Sequence, residues 1–257
     1  SSYCLGDTGE QYPKLWREWQ NLRIDEYDEG SYLGSKAEYK DQFKDLIEGL
    51  KNNPQSRRHI ITAWNPATLD QMALNACHVL SQFNCRPLTS YQREDYYAKV
   101  NNFSEEDRYE MNPNCTDDYV HELMDKEKVP KYYLDCQLYQ RSCDIFLGCG
   151  YNIASYALLT EILSKILNMV PGDFVHTFGD AHIYDNHMEQ IDLQLKREPK
   201  ELHNLSFGSG FDSLVEDFQD GFITLDDFTS QLNVDLFSVE NYNPHPRIKG
   251  KLSTGLK

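Results

Sequence analysis

The sequence predicts an α+β fold in which helices cover a β-sheet. Three observations carry this. The segment 133–146 alternates, with Leu134, Cys136 and Leu138 falling on one face, which is the period of a strand. The segment 152–167 is apolar on nearly all sides, the pattern of a helix buried in a core. Strand-like and helix-like segments are interspersed along the 257 residues without repeats or a clear linker, so one domain spanning 1–257 is expected.

In chain order, 41–52 reads as an amphipathic helix, because Phe43, Leu46, Ile47 and Leu50 share one face. The segment 59–64 reads as a strand, and a further strand starts near Cys77-His78. Residues 84–131 are rich in Tyr, Asn, Asp and Glu and contain Pro87 and Pro113. This stretch reads as a surface insertion between two strands, with 119–128 helical. Segment 173–184 begins as a strand, and 185–197 is a helix stopped by Pro199. Short strands are expected at 222–225 and 234–237.

Composition narrows the function classes. A net charge of −16 argues against nonspecific nucleic-acid binding, so no nucleic-acid partner is expected. It leaves room for a small anionic substrate, because a local arginine cluster can outweigh a remote acidic surface. The acidic runs at 25–29, 105–107, 117–127 and 212–227 read as solvated faces. No apolar run approaches membrane-spanning length and the start lacks a signal-peptide pattern, so a cytoplasmic location without membrane contact is expected. The seven cysteines form no C-x-x-C pair, which fits a reducing compartment and predicts neither a disulfide framework nor a zinc site. His182 and His187 are poorly spaced for ligands on one helix face, and no metal is predicted. The sequence begins Ser1-Ser2-Tyr3-Cys4 without a Met, and an N-terminal piece is expected beyond it.

Cys77 is the most informative residue. Arg57-Arg58 precede the strand that leads toward Asn75-Ala76-Cys77-His78, and Arg141-Ser142-Cys143-Asp144 follows downstream. A thiolate is a nucleophile where a thiol is not, and neighbouring arginines favour it. The same guanidinium groups can fork onto a phosphate. One cationic pocket could thus hold a phosphorylated substrate and activate the sulfur. On its own, Cys77 reads more readily as a buried small hydrophobe, the commoner fate of a cysteine, and the rest of the chain reverses that reading.

From residue 56 to 199 the chain resembles a thymidylate synthase. The matching pieces include Ser56-Arg57-Arg58, Ala63-Trp64-Asn65-Pro66, Met72-Ala73-Leu74, Cys77-His78 and Gln137-Leu138-Tyr139-Gln140-Arg141-Ser142-Cys143-Asp144. They continue through Asn152-Ile153-Ala154-Ser155-Tyr156, Pro171-Gly172-Asp173-Phe174 and Gly179-Asp180-Ala181-His182-Ile183-Tyr184, and on to Gln194-Leu195-Lys196-Arg197-Glu198-Pro199. Tyr242-Asn243-Pro244-His245-Pro246 matches near the C-terminus. The resemblance implies a mixed sheet covered by helices, with the sheet forming a homodimer interface. It also implies one-carbon transfer from 5,10-methylenetetrahydrofolate to C5 of a pyrimidine nucleotide. By the same resemblance Cys77, beside His78, attacks C6 of the base. Gln140, Arg141 and Ser142 bind the nucleotide, and Arg57 and Arg58 reach the phosphate in the neighbouring subunit. His182 and Tyr184 hold the sugar hydroxyl. Asp144, with Leu74, Leu147, Gly148 and Tyr151, meets the folate. Tyr12 serves the water network that removes the C5 proton. Asn152 reads the base, its amide matching O4 and N3–H of uracil and so favouring dUMP over dCMP. A helix N-cap is the structural alternative for Asn152.

Several positions depart from the family pattern. Ala76 stands where a proline precedes the cysteine, Gly150-Tyr151 replaces Pro-Phe before Asn152, and the short apolar tail becomes Gly250-Lys251-Leu252-Ser253-Thr254-Gly255-Leu256-Lys257. The family's N-terminal portion, with a phosphate-binding arginine, a catalytic glutamate and folate-packing tryptophans, is absent from the sequence. A polar tail that admits water would leave a hydroxymethyl group on C5. The sequence therefore points to a dUMP hydroxymethylase of the phage type. Thymidylate synthesis is the alternative, and an inactive nucleotide- or partner-binding relative is the reading from another class.

Overall fold

Along the chain, the computed structural model describes residues 12–24, 35–72, 74–103 and 116–252. They form α1 (Tyr12–Arg17), β1 (Trp19–Ile24), β2 (Ser35–Lys40), α2 (Gln42–Asn52), β3 (Ile60–Thr62), β4 (His78–Pro87), α3 (Ser90–Val100) and α4 (Asp117–Lys126). There follow β5 (Tyr132–Asp144), α5 (Cys149–Ile166), β6 (Val170–His182), α6 (Met188–Leu195), β7 (Asn204–Phe207), α7 (Ser209–Gln219), α8 (Leu225–Gln231) and β8 (Phe237–Glu240).

A four-stranded sheet in the order β3-β4-β5-β6 forms the centre. The first two pairings are antiparallel and β5–β6 is parallel. A parallel pair needs a crossover, and α5 supplies it. The alternation expected in β5 is present: Leu134, Cys136 and Leu138 are buried while Gln137 and Tyr139 are exposed. The buried face meets Leu163 and Ile166 of α5, Leu50 of α2, and Phe211 and Phe228 of α7 and α8 in one core.

The helix over 41–52 is realised as α2, with Asp41 as its N-cap accepting from the Phe43 and Lys44 amides at 3.0 Å each. Such a cap is worth about 1 kcal/mol. Helix α5 begins at Cys149, ahead of the apolar pattern. Its all-round apolar character does not mean burial throughout. Its first turns are open, with Tyr151 78% and Ile153 44% exposed, and its second half enters the core.

The opposite sheet face is open. Ile60, Gln82, Gln137 and Val175 are paired in succession across the strands and form one row. Within it Ile60 is 45% and Val175 50% exposed. Thr62, Leu80, Tyr139 and Thr177 form the next row.

Three sequence expectations are corrected. Residues 84–87 belong to β4, so the excursion starts at Leu88. The segment 222–225 is no strand: Gly221 turns the chain with φ 79°, and Thr224 caps α8 through a reciprocal box with Asp227. Most of 234–237 is a single 3₁₀ turn, and β8 starts only at Phe237. In both cases short polar side chains satisfied the backbone locally, which outweighs a brief apolar run.

The excursion has a core of its own, where Val120, Met124 and Val129 pack with Tyr96 and Tyr97. Arg93, 2% exposed, ties it together. Its guanidinium donates to the carbonyls of Pro130, His121 and Val129 at 3.1, 3.1 and 2.9 Å and to Asp125 at 2.7 Å. Burial pulls the Asp125 carboxyl up, but hydrogen bonds from Lys131 and Arg93 outweigh it and hold the group below the usual carboxylate range.

Candidate active site

The start of β4, the end of β5, the first turn of α5 and the end of β6 meet at one end of the sheet. Arg141 on β5 organises the Cys77 loop. Its amide donates to the Cys77 carbonyl at 2.9 Å. Its Nε donates to the Ala76 carbonyl at 3.0 Å and its Nη2 to the Asn75 carbonyl at 2.8 Å. The guanidinium also lies over the Trp64 ring, 5.7 Å from its centroid. Behind the loop, Ala76 is buried with Leu15, Ala63 and Met72 in a small apolar cluster. The Cys77 thiol, half-buried, contacts the Asn75 carbonyl at 3.9 Å. The β4–β5 ladder shifts register between His78 and Leu80, directly after the cysteine, and such irregularities re-aim side chains. Gly179 is required here, because a Cβ would lie 2.8 Å from the Arg141 carbonyl.

Asn152 sits inside the first turn of α5, where Gly148 occupies the N-cap, so Asn152 is not the cap. Its Oδ1 accepts from Gln140 Nε2 at 3.1 Å. Gln140 Nε2 also donates to the Ser142 carbonyl at 2.9 Å, and its Oε1 accepts from His176 Nε2 at 2.9 Å. These bonds leave Gln140 one amide orientation, which in turn orients Asn152 with its Nδ2 free of that contact and directed elsewhere. Burial, reinforced by His176, holds the His78 imidazole below its ordinary value, against a hydrogen bond with Asn152 that raises it. Burial likewise lowers His176.

Asp144 closes β5. Its Oδ1 accepts from the Phe146 and Leu147 amides at 3.0 and 3.1 Å, and its carbonyl accepts from the Gly148 amide at 2.8 Å. This turn delivers the chain into α5.

A cleft of about 680 Å³ joins these groups. Cys77, His78, Gln140, Arg141, Ser142 and Asn152 line it. So do Leu74, Asp144, Leu147, Gly148, His182 and Tyr184, so twelve of the sixteen residues singled out in the sequence come together. Arg57 and Arg58 stand exposed before β3 and do not line it. Tyr151 instead faces an adjoining cavity of about 470 Å³ that shares Leu147. Tyr12 opens α1, and its side chain lies outside the described residues.

Two lining residues were missed, Asp180 and Leu252. Asp180 was legible in principle, because it lies two residues before His182 on β6 and shares its face. Its carboxylate is 3.6 Å from His182 Nδ1. Leu252 carried no local signal, since its position depends on a distant latch. His187, fully buried, bonds the Lys251 carbonyl at 2.7 Å. Gly250 fits where a Cβ would come within 2.7 Å of the Phe146 ring. Among the described residues no group of three His, Cys, Asp or Glu side chains could hold a metal.

Residues 2–254 match the family model described as Thymidylate synthase. The chain belongs to the thymidylate synthase family. Among solved structures it is similar to thymidylate synthase from T4 phage, at 34% identity and a TM-score of 0.63 over 97% of this chain. It spans 65% of that chain's length. The family's fold, a mixed sheet with helices, is the one described above. No helix among the described residues is long and apolar enough to cross a membrane.

The lowered histidines give a pH signature. Between their folded values and the ordinary 6.5, the unfolded chain takes up protons that the folded chain refuses. Their contribution to stability is fully present above pH 6.5 and is lost as pH falls through the folded values. The melting temperature of the wild type should therefore drop more steeply on acidification than that of His176→Gln. Parallel curves for the two proteins would exclude the assignment.

Proposed function

We propose that the chain carries the catalytic cleft of an enzyme that transfers one carbon from 5,10-methylenetetrahydrofolate to C5 of dUMP. The observation that carries this is Cys77 sharing one cleft with Arg141 and with an Asn152 amide held in a fixed orientation. Cys77 adds to C6 of the base, which makes C5 a nucleophile toward the methylene carbon of the folate. Arg141 spends two N–H groups on the Asn75 and Ala76 carbonyls, and a guanidinium has five, so donors remain for the phosphate beside Ser142. His182 and Tyr184 serve the sugar. Gln140, 3% exposed, acts by orienting Asn152. Leu74, Asp144, Leu147, Gly148 and Tyr151 form the folate side, where the cavity beside Leu147 extends the cleft. Tyr12 and the C5 proton remain part of this reading by resemblance.

The fate of the C5 methylene depends on water. Leu252 lining the cleft, with Gly250 and Lys251 latched behind it, favours exclusion of water and hydride transfer from the folate, giving dTMP and dihydrofolate. The second reading, addition of water to give 5-hydroxymethyl-dUMP, is favoured by Tyr151, 78% exposed where the family places a phenylalanine. The deciding experiment incubates the full-length protein with dUMP and methylenetetrahydrofolate and weighs the nucleotide. A gain of one methylene with dihydrofolate supports the first reading. A further oxygen with tetrahydrofolate supports the second. Cys77→Ala should lower turnover by more than about a thousandfold while dUMP still binds. Undiminished turnover in that variant would remove the nucleophile assignment.

Asn152→Asp should shift the kcat/KM ratio from dUMP toward dCMP by at least about tenfold. An unchanged ratio would mean that the base is read elsewhere.

The open sheet face is proposed as the interface of a symmetric homodimer, bringing Arg57 and Arg58 to the partner's phosphate site. Val175→Glu, which places a charge in the exposed row, should convert a dimer into a monomer in sedimentation equilibrium. A wild-type monomer, or a dimer unaffected by the substitution, would refute this arrangement.

A further inference from the structure

The end of the sheet away from the cleft carries a further cavity, of about 410 Å³. Strand β5 runs from Tyr132 at this cavity to Asp144 at the cleft, which at about 3.3 Å per residue separates the two by roughly 35–40 Å. Two helices end beside it in the same kind of turn. After α4, Lys128 takes φ 54° and the Val129 amide donates to the Met124 carbonyl at 2.9 Å. After α5, Asn168 takes φ 51° and the Met169 amide donates to the Ser164 carbonyl at 2.8 Å. A left-handed residue followed by such a bond is a Schellman-type helix stop. Asn168 Nδ2 donates to the Lys128 carbonyl at 2.9 Å and ties the two turns together. The ends of α2 and α7 complete the walls.

The floor of this cavity is apolar and its rim is cationic. Leu50, Val129, Ile166 and Met169, all buried, line the floor. Lys51, Lys128 and Lys131 stand exposed around it, against one lining carboxylate, Asp125. That reverses the balance of a chain with 41 acidic and 25 basic residues. Asp125 is already committed: its Oδ1 accepts from Arg93 at 2.7 Å and its Oδ2 from Lys131 at 2.6 Å. Among the described residues Lys51 and Lys128 make no ion pair. Lysines near helix ends can serve to balance the partial negative charge there. Here, however, terminal carbonyls have donors of their own: Gly49 accepts from the Asn53 amide at 2.8 Å, and Lys165 and Ile166 from Gln219 Nε2 at 3.1 and 3.2 Å. The two ammonium groups are left for a ligand.

We propose that this cavity is a second binding site, for a single alkyl chain that ends in an anionic head group, carboxylate or phosphate. The chain lies on the four buried side chains, which are aliphatic or thioether, and the head group meets Lys51 and Lys128. The volume falls within the range of small-molecule pockets, about 300–1,000 Å³, and suits one chain rather than a lipid surface. Burial of the chain supplies affinity, and the lysines select an anion over a neutral molecule. The site is independent of the reaction proposed above.

The test titrates the full-length protein, isotope-labelled at its methionine methyl groups, with octanoate, octyl phosphate and octanol below micelle-forming concentrations, and follows the methyl signals by NMR. The Met169 signal, identified by its loss in Met169→Leu, should shift to saturation with at least one of the two anions. The Met72 signal, from the apolar cluster behind the Cys77 loop, should stay in place. Octanol should bind at least tenfold more weakly than the better anion, and the tighter of the two anions names the head group. The double variant Lys51→Glu/Lys128→Glu changes two exposed side chains, so its circular dichroism should match the wild type while the preferred anion binds at least tenfold more weakly. No saturable shift at Met169 with either anion, or a shift at Met72 alone, overturns the site. Octanol binding as tightly as the anions, or a double variant that binds them as well as the wild type, overturns the recognition of an anion.

Discussion

A buried amide cannot turn to water for a lost partner, and each unmade hydrogen bond costs about 1–3 kcal/mol. Gln140, 3% exposed, is under that constraint, and its partners come from three elements. His176 arrives on β6, Asn152 on α5, and the Ser142 carbonyl on β5 itself. The parallel strand pair and its crossover helix are thereby locked in register at the end of the sheet where the cleft opens. The neighbouring residue, Arg141, faces the other way and does the same for the Cys77 loop through the Asn75 and Ala76 carbonyls. Two adjacent residues of one strand thus fix the groups proposed to read the base and to attack it.

The same strand explains how an acidic protein can present a site for an anion. The net charge of −16 is distributed over solvated segments, while Arg141 is held in the cleft wall by carbonyls that carry no formal charge. Among the described residues no ion pair cancels its positive charge, which under the proposed reading is available to a phosphate at short range. Arg93 shows the contrast. It too is held by carbonyls, but it also pairs with Asp125, and its role is confined to the architecture of the excursion.

Much of this was legible in the sequence, for definable reasons. Helix α2 and strand β5 were readable because each has one buried face, so its apolar period is imposed by the core. The cleft was readable because its residues fall in contiguous motifs at the ends of elements. What escaped was set by other forces. Thr224 and Asp227 start a helix where a brief apolar run suggested a strand, because capping bonds are local and outweigh a few apolar residues. Asn152 was weighed as a cap, yet the helix begins earlier, at the turn that Asp144 makes with the Phe146 and Leu147 amides. Leu252 reaches the cleft through contacts with residues more than sixty positions away, which no local pattern encodes.

That latch also changes how the C-terminal segment bears on the chemistry. Read as a string, Gly250-Lys251-Leu252 is more polar than the family's tail and suggests an open site. In the fold, the polarity is spent on the backbone: the Lys251 carbonyl bonds His187, and the Asn186 amide approaches the same oxygen at 3.4 Å. Gly250 lets the chain lie against Phe146 and Leu147, where a side chain would collide. The apolar Leu252 is then the residue delivered to the cleft. Composition alone would assign this segment to solvent, whereas the position of its one glycine and the partner of one carbonyl make it part of the wall. Under the proposed reaction, water access at the reacting carbon would turn on how firmly His187 holds that carbonyl.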